Sequence, residues 1–257
     1  MNAKMEIIEQ KQVQNRGIEL YESRMAQFRK RFVDHSVLAT GVLDPDIHPD
    51  VLELFLIYFS GLGISMIEPV EGWLKRAGER CIEVGLVELG SAIRKHAKEE
   101  SGHHLWMIED LKILVNHWNT RHKLKLDANE IMSGPIPEGA FRYRKLHEEI
   151  ISGNIPFCEL AIEYEIELMS ALFGPLWIRQ CAGKLGSEII DGLSFVRNHA
   201  DVDIGHTKVN QHKLKKLLTK HPEFAEPLSI TGKSALSAYD LFFANCLSIA
   251  KTRLENC

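Results

Sequence analysis

The stretch "VRNHADVDIGHTKV", residues 196–209, separates His199, Asp203 and His206 by three and then two residues. At about 100° per residue on a helix, their side chains fall within roughly 60° of one another and form one stripe. The apolar residues that continue this stripe are Val196, Leu214 and Leu217. An apolar seam turns toward a core, so the polar residues on it need an internal partner. A metal ion is such a partner, and a chance cluster on a solvated face is the alternative.

A second stretch, "HAKEESGH" at residues 96–103, repeats the same spacing with His96, Glu100 and His103. The apolar residues on this face are Leu89, Ile93, Met107 and Leu111. A single buried histidine is usually a core residue with an ordinary hydrogen-bond partner. Two matching sets on core-facing stripes instead indicate that two helices of a bundle bring imidazoles and carboxylates to a metal site.

A third stretch, "CELAIEYEIELMSAL" at residues 158–172, supplies another carboxylate. We expect Glu165 to lie in the middle of its apolar face, and Glu159, Glu163 and Glu167 to flank that face as solvated or paired residues. An ionised carboxylate on an apolar face is costly unless it is paired or bound to a metal. The alternative for Glu165 is an ion pair with a neighbouring Arg or Lys.

The chain is predicted to be helical nearly throughout, because Val, Ile and Thr do not cluster into alternating runs. The predicted helices cover about 5–35, 49–80, 83–120, 138–152, 155–182, 185–220 and 231–255. The second should break near "GLG" and Pro69, and "NEIMSGPIPEG" at residues 129–139 is predicted to be a loop. Since no linker is long enough to separate domains, we predict an all-α bundle of about seven helices in a single domain, residues 1–257.

Composition excludes several classes of function. The net charge is −4 and 26% of residues are charged, with Lys and Arg dispersed along the chain, so nucleic acid is not expected as a partner. "MNAKMEIIEQKQ" lacks the apolar core of a signal peptide, and the longest apolar stretch, residues 51–67, is interrupted by a Glu and glycines and too short for a membrane span. The scattered cysteines favour reduced thiols and a cytoplasmic location; they are Cys81, Cys158, Cys181, Cys246 and Cys257.

The candidate ligands are three carboxylates and three imidazoles without a thiolate. They are Glu100, His103, Glu165, His199, Asp203 and His206. This donor set suits iron or manganese better than structural zinc. Divided over two metals, it leaves open positions for oxygen and a substrate. A ferritin-like centre needs Glu-x-x-His on two helices and is excluded, because the motif occurs once, as "ESGH".

With these motifs, the sequence resembles the heme-oxygenase-like di-iron oxidases and oxygenases over about residues 50–220. Their third core helix carries His-x3-Asp-x2-His, matched by the motif that begins at His199. A Glu some thirty-odd residues upstream, often after a Tyr, is matched by Glu165. The first core helix contributes a Glu and a His, matched by Glu100 and His103.

The first-helix pair varies within the family that the sequence resembles. Some members place the Glu seven residues before the His, and this position is occupied here by His96. His96 is therefore an extra or substitute ligand in this interpretation, and His104 is an alternative to His103.

The resemblance implies a heme-oxygenase-like fold that binds two Fe(II) per chain and uses O₂ as co-substrate. The small-molecule substrate would be an amino acid, an amine or a fatty acid, altered by N-oxygenation or by oxidative cleavage of a C–H or C–C bond. The matched residues would be metal ligands, and no separate general base is indicated. An external electron donor and a homodimer are left open.

Three alternatives use the same bundle. A heme oxygenase binds heme through a His near its N-terminus, where His35 precedes every other His, but core carboxylates are hard to explain beside a porphyrin. A metal-independent, thiaminase-like hydrolase would use a Cys nucleophile, for which Cys158 lies on the same helix as Glu165. A non-catalytic iron-binding bundle would use the ligands alone.

Overall fold

The computed structural model describes the backbone of residues 2–255 and the side chains of residues 16–255 except Ile204. Within that range the chain forms ten α-helices and no strand, so the predicted all-α fold is confirmed. The helices are α1 Asn2–His35, α2 Pro49–Ile67, α3 Val70–Glu83, α4 Val87–Glu99, α5 His104–Arg121, α6 Ala128–Met132, α7 Glu138–Ser152, α8 Glu159–Leu185, α9 Ser194–Lys220 and α10 Ala225–Glu255. The count exceeds seven because two predicted helices are split and a short one lies in the predicted loop.

The first split separates α2 from α3 at Pro69, as expected for a residue that cannot continue a helix. The "GLG" stretch does not break α2. A Cβ atom added at Gly61 would lie 2.5 Å from a methyl group of Ile131, and one at Gly63 would lie 2.5 Å from the terminal carbon of Met107. These glycines therefore allow close helix packing rather than a turn.

The second split separates α4 from α5. The prediction of one continuous helix over about 83–120 is therefore wrong. α4 ends at Glu99 and α5 begins at His104. Gly102 lies between them with φ of +83°, a left-handed conformation that residues with a Cβ rarely adopt. Two predicted ligands, Glu100 and His103, therefore lie in a turn between helices.

The bundle is organised around two long helices, α8 and α9, which pack along each other. α10 packs against α1, α2, α7 and α8, while α3 packs on α4. The large aromatic residues at the centre of the core include Phe55, Phe59, Trp177, Phe242 and Phe243. This core lies directly beside the polar residues described below.

One segment, Pro49–Glu83, is long and apolar enough by length and composition to cross a membrane. Within its apolar window, 72% of residues are buried inside the protein. α2 packs against α5 and α10, as the core helix of a bundle does.

Candidate metal centre

Three helices and one turn bring four imidazoles and four carboxylates together. α4 and the turn after it provide His96, Glu100 and His103; α8 provides Glu163 and Glu167; α9 provides His199, Asp203 and His206. Three groups of three lie within these residues, and a fourth joins Glu99 to His96 and His206; within each group the potential ligand atoms all lie within 4.8 Å of one another. We call these eight residues the cluster.

The first group in the cluster consists of Glu100, His103 and His199. Oε2 of Glu100 lies 2.7 Å from Nδ1 of His103 and 4.0 Å from Nε2 of His199. Nδ1 of His199 lies 2.8 Å from the carbonyl oxygen of Phe195, to which it donates. This hydrogen bond fixes the ring and leaves Nε2 as the free nitrogen toward Glu100, as expected for a metal-binding imidazole.

The second group consists of Glu167, Asp203 and His206. Nδ1 of His206 lies 3.7 Å from Oε1 of Glu167 and 3.7 Å from Oδ1 of Asp203. It also lies 3.7 Å from Oε1 of Glu100. Glu100 therefore directs one carboxylate oxygen to each group and lies between them.

His96 joins the second group from α4. Its Nε2 lies 3.1 Å from Oε1 of Glu167 and 3.3 Å from Oε2 of Glu163. Glu99, at the edge of the cluster, lies 3.8 Å from Nε2 of His206. Among the described residues, none of the convergent groups includes His104.

Several buried atoms in the cluster lack an aligned hydrogen-bond partner, although carboxylates lie within ion-pair distance. They are His96 Nε2, His103 Nδ1, Glu167 Oε1 and His206 Nδ1. Buried polar atoms are normally satisfied. Four unsatisfied atoms within one cluster fit a site for a cation, which would take them as ligands.

The pKa values within the cluster reflect burial and crowding of like charges. Burial and the neighbouring Glu167 and Glu100 raise the pKa of Asp203 to about 8, and burial raises the pKa of Glu167 to about 7. Burial lowers the pKa of His199 to about 4. For His96, burial disfavours the charged form, but its contacts with the α8 carboxylates outweigh burial and raise its pKa to about 11. Without a metal, the cluster therefore retains protons that a cation would displace.

Glu165 lies outside the cluster, which corrects the expectation from sequence. Its carboxylate is 1% exposed and accepts hydrogen bonds from Arg29 and Tyr21 of α1. Glu165 therefore forms an ion pair with Arg29, which was the alternative expected from the sequence.

The expectation that Glu163 and Glu167 are marginal residues is also wrong, since both are buried and face the cluster. The reason is that residues 156–165 are all buried. Where a helix is buried on every side, as at residues 159–165, no face is solvated. The apolar pattern of the sequence then does not show which face points to the core. The signal that was available is spacing, because Glu163 and Glu167 are four residues apart and share a face.

Two positioning residues were not found from the sequence. Asp110 of α5 accepts hydrogen bonds from the backbone amides of Ser194 and Phe195, each at 2.8 Å, and so caps the N-terminus of α9. Asn210 of α9 donates from Nδ2 to Oε2 of Glu167 at 2.7 Å. These contacts hold α9 and the Glu167 carboxylate in place around the cluster.

A cavity of about 90 Å³ borders the cluster on one side. Its polar lining includes Glu100, Glu163, Glu167, His199 and Asp203, with Tyr143 and Tyr239. The rest is largely apolar and includes Phe59, Phe173, Trp177, Phe195 and Phe243. None of the described lining residues is Lys or Arg. The cavity is therefore a largely apolar chamber whose described lining includes one imidazole and four carboxylates.

Cys158 and His35, the residues of two alternative functions, do not line this cavity. Burial raises the pKa of the Cys158 thiol to about 12, whereas a nucleophilic cysteine needs a lowered pKa. His35 is exposed in the last turn of α1.

The order and packing of these helices define a heme-oxygenase-like fold, as the resemblance implied. The chain is similar to the crystal structure of a domain of unknown function with a heme oxygenase-like fold from Shewanella denitrificans OS217. The TM-score is 0.71 at 16% sequence identity, over 92% of this chain and 94% of that chain. No protein-family model matches this chain, and no curated protein sequence matches it either.

Proposed function

We propose that this protein is a non-heme di-iron oxidase or oxygenase that uses O₂ to oxidise a small molecule. The observation that carries this proposal is the convergence of unsatisfied buried nitrogens and carboxylate oxygens from α4, α8 and α9. When bound, the two Fe(II) would supply the electrons and coordination positions that O₂ activation requires.

Charge balance supports two divalent ions rather than one. The cluster contains four carboxylates, which are Glu100, Glu163, Glu167 and Asp203. Two divalent cations would neutralise four carboxylates, while the imidazoles bind as neutral ligands. Glu100 has one oxygen near each group, so it would be a candidate ligand in either group. The donor set of imidazole and carboxylate without thiolate favours iron or manganese.

The lining of the cavity favours one of the three substrate classes, which are amino acids, amines and fatty acids. Because its described lining lacks Lys and Arg, a charged group on the substrate would find no protein counter-charge away from the cluster. We therefore favour an apolar substrate that is small enough for this cavity, such as a short-chain fatty acid, whose one polar group points to the metals. The apolar walls would exclude water and hold the reacting bond near the cluster. The tyrosine hydroxyls of Tyr143 and Tyr239 could orient a polar group there.

The alternatives are less well supported. A thiaminase-like hydrolase would need Cys158 to be ionised, against its raised pKa, and would leave the cluster without a role. A non-catalytic iron-binding bundle would leave the adjacent apolar cavity unexplained. We also propose that the protein is cytoplasmic, since Cys81, Cys158, Cys181 and Cys246 are unpaired and buried; Cys257 lies outside the described residues.

The test is metal content after anaerobic loading with Fe(II), followed by exposure to O₂. We expect about two iron ions per chain and a transient visible absorption band. His199→Ala and His206→Ala should lower iron content while the helical circular dichroism is retained. The matched control is His212→Ala, an exposed histidine on the same helix, which should bind iron as the wild type does. Iron content near zero in the wild type would overturn the proposal.

A second measurement addresses catalysis. O₂ uptake by the loaded protein would be screened against fatty acids, amines and amino acids, with the largest stimulation expected for a fatty acid. Bound iron without stimulated O₂ uptake by any substrate would favour the non-catalytic bundle.

A further inference from the structure

The cluster also approaches solvent on a side that is polar and does not border the apolar cavity. Glu99 of α4 and His206 of α9 meet there, with side chains 42% and 17% exposed. Neither residue lines the cavity. The cluster therefore has a second approach, along the seam between α4 and α9, which does not pass through the substrate cavity.

This seam continues into a strongly basic part of α9. Residues 208–220 contain five lysines and no Asp or Glu, in a chain whose net charge is −4. They are Lys208, Lys213, Lys215, Lys216 and Lys220. Across the seam, α4 adds the exposed Lys98 and also Lys95, which pairs with Glu99 at 3.5 Å. Lys213, Lys216 and Lys220 lie along the seam, whereas Lys208 and Lys215 line a groove with Glu19 and Glu22 of α1.

A groove runs along the seam below the cluster. Its floor contains Leu86, Leu89 and Leu217, and its rim carries Lys213, Lys216 and Lys220 with His212 and His221. Glu88 is the single acidic residue among the described residues that line it, and it pairs with Lys216 at 2.8 Å and Lys220 at 3.5 Å. The rim therefore keeps a positive charge around apolar contact area, which is the usual character of a docking surface for an acidic protein.

The groove is also linked to the cluster by hydrogen bonds. Nζ of Lys213 donates to Oδ1 of Asn210 at 2.9 Å, and Nδ2 of Asn210 donates to Oε2 of Glu167. Lys213 lies seven residues after His206 on α9, a rise of about 10 Å along the helix. A protein bound over the groove would thus lie within a few turns of the metal ligands.

We propose that this seam is the docking surface for an acidic one-electron carrier of the iron–sulfur ferredoxin class. This inference rests on the proposed function. In that reaction O₂ oxidises the iron to Fe(III), which must be reduced again before the next turnover. Each reduced carrier gives up one electron, so two carriers return two Fe(III) to two Fe(II), and no covalent bond forms or breaks. The substrate cavity and the electron entry then lie on separate sides of the cluster.

The test uses the full chain and an acidic [2Fe–2S] ferredoxin as the probe. Calorimetric titration of the oxidised ferredoxin measures binding whether or not iron is loaded. We expect binding that weakens about tenfold or more between about 0.01 M and 0.15 M ionic strength, because the Debye length falls from about 30 Å to about 8 Å. No binding at low ionic strength would overturn the proposal.

Charge variants locate the surface. Lys216→Glu with Lys220→Glu should weaken ferredoxin binding about tenfold or more, and the neutral Lys216→Gln with Lys220→Gln should have a smaller effect in the same direction. The matched control is Lys145→Glu with Lys233→Glu, in another groove between α7 and α10, which should bind ferredoxin as the wild type does. Equal loss in the seam and control variants would overturn the proposal.

The rate of iron reduction separates this inference from the proposed function. Reduced ferredoxin should reduce the Fe(III) of the seam variant at least about tenfold more slowly than that of the wild type, whereas dithionite should reduce both at the same rate. A chain that binds ferredoxin at the seam but holds no iron would refute the proposed function and, with it, the electron-delivery role. A short DNA duplex that binds the same lysines as tightly as ferredoxin would also overturn this proposal, in favour of a nucleic-acid surface.

Discussion

Arg29 of α1 holds the carboxylate of Glu165 of α8 with two hydrogen bonds, Nε to Oε2 at 2.8 Å and Nη2 to Oε1 at 2.6 Å. The hydroxyl of Tyr21 donates to the same carboxylate at 2.5 Å. On the other side, a Cβ atom added at Gly232 of α10 would lie 2.9 Å from the Cγ of Glu165. Glu165 is thus enclosed between α1 and α10 and directed away from the cluster.

Replacing Glu165 should therefore affect stability and spare metal binding. Glu165→Gln leaves the Arg29 guanidinium facing a neutral amide, and breaking a buried ion pair is strongly destabilising. We expect the free energy of unfolding to fall by about 3 kcal/mol, measured by urea denaturation of the metal-free protein, with iron per chain unchanged. A variant of normal stability that loses iron would show that this carboxylate is a ligand after all.

Glu163→Gln and Glu167→Gln should lower iron binding and have little effect on stability, the reverse of Glu165→Gln. Both carboxylates lie within 3.3 Å of Nε2 of His96, and a neutral amide is a poor iron ligand. Iron content should fall from about two per chain toward one. Unfolding of the metal-free protein should change by no more than about 1 kcal/mol, the range of an ordinary substitution. Comparison with Glu165→Gln on the same helix provides the control, and wild-type iron content in both variants would contradict the assignment.

The metal-free protein should lose stability as the pH rises from about 6.5 to 8. The pKa values of Glu167, Asp203 and His96 are raised to about 7, 8 and 11, so the folded state holds protons that the unfolded chain has released. The unfolded state then binds fewer protons, and the slope of stability against pH is negative. His199 and His206, whose pKa values are lowered, act with the opposite sign but only below about 6.5.

The measurement for this pH dependence is urea unfolding of metal-free protein at the two pH values, with an expected loss of about 1–2 kcal/mol. His96→Gln should flatten the dependence. Loading with metal at pH 7 should release protons to a pH indicator. Stability that increases over this pH range would contradict the protonation states inferred for the cluster.

Gly102→Ala tests whether the turn between α4 and α5 positions the ligands. At φ of +83° a Cβ costs about 1 kcal/mol or more, while an added Cβ would have only ordinary contact with Leu105 at 3.7 Å. Any loss of stability in Gly102→Ala therefore comes from the positive φ angle and not from a steric clash with a neighbouring side chain. We expect a loss of about 1 kcal/mol in stability and weaker iron binding in a competition titration with a chelator.

The control for this turn is Gly183→Ala, in the last turn of α8, where no atom outside the helix backbone lies within 4 Å of the added Cβ. It should stabilise the helix by up to about 1 kcal/mol and leave iron binding unchanged. Unaltered iron affinity in Gly102→Ala would show that Glu100 and His103 do not depend on the turn.

Much of the fold was predictable because its signals are local. Helix periodicity and punctuation by Pro and Gly predicted most of the helices, and Pro69 breaks the chain as expected. The turn at residues 100–103 was missed because Gly102 within an amphipathic pattern does not by itself indicate a left-handed residue. The apolar faces of α4, α5 and α9 were placed correctly, since Ile93, Leu111 and Leu214 are all buried.

The amino-acid sequence by itself determined the all-α class and the motif of α9, because residues spaced by three or four positions share one face of a helix in any surroundings. The tertiary structure placed Glu100 and His103 in a turn rather than on α4. Only the tertiary structure decided which glutamate of α8 turns toward the cluster. The first seven residues of α8, 159–165, are all buried, so the apolar pattern there does not distinguish a face that points to solvent. The choice depends on Arg29, 136 residues away in sequence, whose charge pairs with Glu165 and leaves Glu163 and Glu167 to face the cluster.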